Sequence, residues 1–287
     1  MLKNLSIITC LLLSLTVKSQ LPNTDLWLFK IETDKLNKSI LKEPLNITNR
    51  EGYDNQPSFS KDGKKIYYVS IREDKQADIY YYDLGNKMTV PLTKSKISEY
   101  SPTLTEDGKF ITSVAVEADS AQRIHFINAV SGLDEKKFEM DSVGYYTFLN
   151  PDTVIYYKLT QPHSLRYFVK STNEDKWLAN SPIRTFKAIN RHTLIYGLKD
   201  SARVNFYTYD FLLQKAHKYA EYFSTNEDIN WHPTLGLVKS EDARLLHFDE
   251  IKKEWLLVYD LSPFGVKKIT RFAFDPKNKY LVIVNNL

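Results

Sequence analysis

NQPSFSKDGKKIYYVS, which begins at Asn55, and EYSPTLTEDGKFITSV, which begins at Glu99, are two copies of one pattern. Each has a proline (Pro57, Pro102), then an apolar anchor two residues on (Phe59, Leu104), then Asp-Gly-Lys starting three residues after the anchor. An apolar run follows in both. Asp62-Gly63 and Asp107-Gly108 sit between strand-like runs and read as hairpin turns, because glycine accepts the positive φ such turns require. Weaker copies follow in register: YTFLNPDTVIYY with Leu149, FKAINRHTLIYG with Ile189, INWHPTLGLV with Trp231 and RFAFDPKNKYLVIV with Phe274. The anchors are 45, 45, 40, 42 and 43 residues apart. A period of about 40–45 residues is that of a four-stranded propeller blade.

Each unit then divides into four short strands. In the first unit, Asp78 to Leu84 (DIYYYDL) is the third strand and Thr89 to Thr93 (TVPLT) the fourth. RIHFI at Arg123, LRYFV at Leu165, VNFYTYD at Val204 and LLHF at Leu245 repeat the third strand. Runs such as TVIYYKL and YLVIV are continuously apolar or aromatic rather than alternating, as in sheets buried on both faces. The last unit holds only its first two strands. TDLWLFKIETDK and LKEPLNIT near the N-terminus have the texture of the missing two. The pattern predicts an all-β, six-bladed β-propeller of four-stranded antiparallel blades, closed by N-terminal strands that complete the last blade and remove exposed sheet edge.

The string PSFSKDGKKIYYVS, with DIYYYDL and PLT after it, resembles the TolB-like, WD-type repeat through Pro57, Phe59, Ser60, Asp62, Gly63 and Lys64. Pro102, Leu104, Thr105, Asp107, Gly108 and Lys109 repeat the match. Beyond these units Asp-Gly becomes Pro-Asp, Arg-His, Leu-Gly and Lys-Asn, so Trp231 and Phe274 rest on spacing. The resemblance implies a stand-alone propeller of the cell envelope that scaffolds protein contacts, without the extra N-terminal domain of TolB.

Residues 1–19 read as a signal peptide, with Lys3, an apolar run from Leu5 to Val17, and cleavage after Ser19. That places residues 20–287 in one propeller domain, periplasmic or secreted. The apolar run is shorter than the roughly 20 residues needed to span a bilayer. Cys10, inside this run, is the chain's one cysteine, set in a poor context for lipidation. Removal of Lys3 and Lys18 with the leader takes the net charge from +4 to +2. Charges of both signs are interspersed, so no nucleic-acid-binding stripe is expected.

No Gly-x-Ser-x-Gly elbow occurs. Ser39 to Lys42 (SILK) matches an acylating-enzyme spacing by chance, in an expected connection between strands. The Asp-Gly turns lack the Thr-Trp of a sialidase box. His125, His163, His192, His217, His232 and His247 form no local metal signature. The sequence therefore predicts no catalytic residues, no metal and no cofactor. Function is expected at the channel mouth, where the first strands begin. Five positions before the anchors stand Asp54, Glu99 and Arg184; three before stand Asp228 and Arg271. These five form the candidate site for a protein or glycan partner of the envelope, bound by a monomer. Charges that pair and seal the channel are the competing account. An enzyme acting on glycans, a lyase or hydrolase using these charges, is the alternative function.

Overall fold

The computed structural model describes residues 21–223 and 226–286. The expected leader and Cys10 lie outside them. The first strands are β1 (Thr24–Thr33) and β2 (Ser39–Asn46). Next come β3 (Tyr53–Phe59), β4 (Lys65–Ile71), β5 (Ala77–Asp83) and β6 (Met88–Pro91). β7 (Ser98–Leu104), β8 (Phe110–Val116), β9 (Gln122–Asn128) and β10 (Asp134–Lys137) follow. Then β11 (Val143–Phe148), β12 (Thr153–Lys158), β13 (Ser164–Val169) and β14 (Glu174–Asn180) precede β15 (Pro182–Asn190), β16 (Thr193–Asp200), β17 (Arg203–Asp210) and β18 (Lys215–Phe223). β19 (Ile229–His232), β20 (Gly236–Glu241), β21 (Arg244–Asp249), β22 (Glu254–Asp260), β23 (Ile269–Phe274) and β24 (Tyr280–Asn286) complete the series.

β7–β10, β11–β14, β15–β18 and β19–β22 are separate antiparallel four-stranded sheets. The remaining strands form one eight-stranded sheet from two such ladders, β23–β24–β1–β2 and β3–β6, joined at a single parallel bridge from Thr24 to Tyr53. β1 lies antiparallel to β24 from Thr24 opposite Asn286 to Lys30 opposite Tyr280. The two ends of the described chain therefore share one ladder. Ser39 to Lys42 belongs to β2, correcting the expected connection; Ser39 Oγ is hydrogen-bonded to the Tyr259 hydroxyl.

The continuous apolar texture has a direct cause. Along β24, Leu281 and Ile283 pack with Phe29 against Val238 and Leu245 of β20 and β21. Val282 and Val284 face the other way and pack with Leu26 and Leu28 against Ile66 and Tyr68 of β4. Alternate side chains enter opposite interfaces, so neither parity can be polar.

The hairpin after each anchor is held by the residue that follows it. Ser60 Oγ accepts the Lys64 and Lys65 amides at 3.1 and 2.9 Å and donates to Asp62 Oδ1 at 2.6 Å. Thr105 and Asp107 repeat this arrangement, with Gly63 and Gly108 at φ +71° and +73°. Asn150 Oδ1 accepts the Asp152 and Thr153 amides, and Asn190 Oδ1 that of His192. His232 Nδ1 accepts two amides at 3.2 Å, and Asp275 accepts those of Lys277, Lys279 and Tyr280. Asn278, at φ +52°, takes the place of the turn glycine. A side-chain acceptor recurs in all six repeats, although Asp-Gly does not.

Phe29 is fully buried, so Phe29→Ala is expected to cost about 3–5 kcal/mol in urea unfolding. Deleting residues 25–48 should abolish cooperative unfolding; an unchanged transition would refute the closure. Gly63→Ala and Gly108→Ala should each lose about 1–2 kcal/mol through the left-handed backbone. Gly63→Ala should lose more, because its Cβ would lie 3.0 Å from Asp275 Oδ2 while nothing lies within 4 Å at Gly108. Thermal midpoints of the pair test the order.

Candidate functional site

The site is built from the first strand of each unit. β3 touches β7 and β23, β15 touches β11 and β19, and β19 touches β23, so these strands surround a common channel. Hydrogen bonds tie them together laterally. The Ser101 amide donates to Gln56 Oε1 at 2.7 Å, Ser58 Oγ to the Pro102 carbonyl at 2.6 Å, and the Tyr146 hydroxyl to the Ser101 carbonyl at 3.0 Å. The Ile229 amide donates to Thr185 Oγ1 at 3.1 Å, and the Phe272 amide to Asp228 Oδ2 at 3.1 Å.

Gln56 and Ser101 have φ of +57° and +56°, and the pairing register shifts around each. Such bulges reset the in-out alternation of a strand. Asn55 and Gln56, neighbours in sequence, both line the cavity as a result. Tyr145, Glu227 and Thr270, four positions before their anchors, join them.

The five expected residues separate into two groups. Asp54 is fully buried away from the cavity, 3.4 Å from Arg50 Nε, and burial raises its carboxyl above the usual range. Glu99 is also buried, facing Thr93, Ser95 and Asp78, and burial pushes it up to about 7. Neither lines the mouth. Arg184, Asp228 and Arg271 do come together. Arg271 Nη1 pairs with Asp228 Oδ1 at 2.8 Å, and its guanidinium lies 5.4 Å from the Tyr145 ring centre. Arg184 Nη2 reaches the Thr270 carbonyl at 3.2 Å, from β15 to β23.

Arg184, Tyr145, Arg271 and Gln56 thus form a shared partition between two spaces. The outer one, about 560 Å³, is the mouth; Tyr53, Tyr222, Phe223 and Lys268 also line it. The inner one, about 120 Å³, lies in the channel and includes Lys187 and Asp228 in its wall. Burial pushes the Tyr53 hydroxyl up to about 12 and lowers the Lys187 ammonium. Two of the three acids at the mouth are engaged: Glu227 accepts the Arg184 amide at 2.9 Å and pairs with Lys199, and Glu241 pairs with the Tyr222 hydroxyl and Arg244, while Asp242 also lines the space.

His125 and His163 pack against neighbouring strands, while His192 and His217 are exposed. His125 bridges Asp134 at 2.6 Å and Glu117 at 2.9 Å, and the His163 ring lies tilted at 44° against that of Tyr157. The hydrogen bond from Lys137 holds Glu117 down at about 2. Among the described residues no group of three or more His, Cys, Asp or Glu is placed to hold a metal ion.

Arg271→Met should destabilise by about 3–5 kcal/mol, since it leaves Asp228 buried and unpaired; denaturant unfolding measures this. For Glu99 the sign runs opposite to a salt-bridged acid. Its folded-state pKa, about 7, lies above the ordinary 4.5, so stability falls as pH rises from 4.5 through 7 and is flat above. Glu99→Gln should remove that fall and stabilise the chain at pH 8 by on the order of 3 kcal/mol, with little change at pH 4. Equal midpoints at pH 8 would sink this account.

No family model matches the chain, and no curated protein matches it. Solved structures do. A putative TolB from Agrobacterium tumefaciens is 10% identical with a TM-score of 0.63, over 93% of this chain and 99% of that one. A structure from the nidogen/laminin complex is 11% identical with a TM-score of 0.60, over 91% and 98%. An oligogalacturonate lyase in complex with manganese is 12% identical with a TM-score of 0.57, over 90% and 82%. With the nearly all-β chain and its antiparallel four-stranded ladders, these similarities show a TolB-like β-propeller fold.

Proposed function

We propose that the mature chain, residues 20–287, is a six-bladed, non-catalytic propeller of the periplasm or cell exterior that binds a protein partner at the channel mouth. The observation that carries this is the partition. Arg271 spends its charge on Asp228 and Tyr145, and Arg184 reaches across the channel to the Thr270 carbonyl. The mouth above keeps exposed apolar and basic groups, among them Phe223 at 66% exposure and Lys268. Aromatic and arginine side chains in a concave, partly desolvated setting are the usual anchors of protein interfaces. The likeness to a TolB and to a structure from a nidogen/laminin complex is consistent with this role. No helix of the described residues is long and apolar enough to cross a membrane.

A propeller enzyme acting on glycans is the second reading, favoured by the likeness to an oligogalacturonate lyase. Acid–base glycosidase chemistry needs two carboxyl groups facing each other across an open pocket, roughly 5–9 Å apart. Here Glu227 and Glu241 already have basic or hydroxyl partners, which leaves Asp242 as the one acid of the mouth without one among the described residues.

Affinity capture from the native envelope, with the mature chain as bait, tests the proposal. Wild type should enrich a specific protein, and the double variant Arg184→Ala, Phe223→Ala should lose it while unfolding cooperatively. Undiminished capture by that variant would move the site elsewhere. Release of unsaturated product from oligogalacturonate would support the enzyme instead.

A further inference from the structure

The inner space of about 120 Å³ has an unusual balance of charge. Three basic side chains, Arg184, Lys187 and Arg271, stand in its wall with a single carboxylate, Asp228. Both oxygens of Asp228 are occupied, Oδ1 by Arg271 and Oδ2 by the Phe272 amide. Two cations are left over. Arg184 Nε is buried with no hydrogen-bond partner among the described residues. The Lys187 ammonium has neither an ion pair nor a hydrogen bond among them, and Asp228 and Arg271 act on it only at a distance. Gln56 adds a donor: its Oε1 is taken by the Ser101 amide, and its NH2 points to no acceptor among the described residues.

Holding cationic groups partly out of water without a counter-charge is unfavourable, and a ligand of opposite charge removes that cost; Arg184 and Lys187 are both partly buried. Guanidinium, lysine and amide groups lining a space sized for a few atoms match a tetrahedral oxyanion, whose charge would also favour the protonated Lys187 that burial disfavours. Guanidinium N–H groups are well suited to such oxygens. We propose that the channel interior, below the partition, binds a phosphate or sulfate dianion, either free or as the end of a monoester, with Lys187 and Arg184 as its main ligands. The site shares Arg184, Arg271 and Gln56 with the mouth, and Lys187, which lines only the inner space, distinguishes the two.

Isothermal titration calorimetry on the mature chain tests this, using inorganic phosphate and phenyl phosphate at an ionic strength held constant with chloride. Wild type should bind inorganic phosphate at one site per chain. Lys187→Met should weaken binding by about tenfold or more, whereas Lys187→Arg should keep it. Arg184→Gln serves the same purpose should Lys187→Met fail to fold. Equal binding of phenyl phosphate assigns a monoester end, and its exclusion assigns the free anion. No phosphate-specific heat in wild type, or equal affinity in wild type and Lys187→Met, would overturn the proposal.

Discussion

The ladder between β1 and β24 is the constraint on which the remaining structure depends. These strands come from opposite ends of the described chain, and each fills two interfaces at once. Phe29, Leu281 and Ile283 complete the packing against β20 and β21, while Leu26, Leu28, Val282 and Val284 complete that against β4. Without the ladder, both interfaces would lose a wall and a long apolar sheet edge would face water. Asp25 reinforces the join. Its buried carboxylate accepts Asn46 Nδ2 at 2.7 Å and Thr48 Oγ1 at 2.9 Å, setting the path from β2 towards β3.

The channel inherits its character from a second set of contacts. Inner strands of neighbouring units are joined by side chain to main chain bonds rather than by a continuous ladder. A ladder would consume only backbone groups; these links consume the polar side chains of the channel wall. That leaves few polar groups uncommitted, which is why the cations around Lys187 stand out. The bulges at Gln56 and Ser101 do the complementary work, turning successive residues inward where a regular strand would turn one.

Much of the fold is legible in the sequence because its determinants are local. The proline, anchor and Asp-Gly spacing marks hairpins, and the two-sided apolar runs mark sheets packed between neighbours. The complementary ends are readable from texture alone, and LWLFKI does pair with the last strand. The site is harder to read. Counting five and three positions back from the anchors assumes regular alternation, and the bulges break it. Asp54 and Glu99 consequently fall into the walls between sheets, while Tyr145 and Glu227, one position along, face the channel. The turn caps escape notice for another reason. Ser60, Thr105, Asn150, Asn190, His232 and Asp275 differ as residues and agree only in presenting an acceptor to the turn amides, a property that residue identity hides.

The join between β1 and β24 also sets the order in which this protein is completed. Residues 24–33 are made early, yet their partner strand spans residues 280–286. Throughout synthesis, Leu26, Leu28 and Phe29 therefore belong to a strand whose main ladder does not yet exist. The ring can close only once residues 280–286 are available. A chain delivered across a membrane as an extended thread, N-terminus first, would meet the same wait on the far side, with its earliest strand held open for its latest.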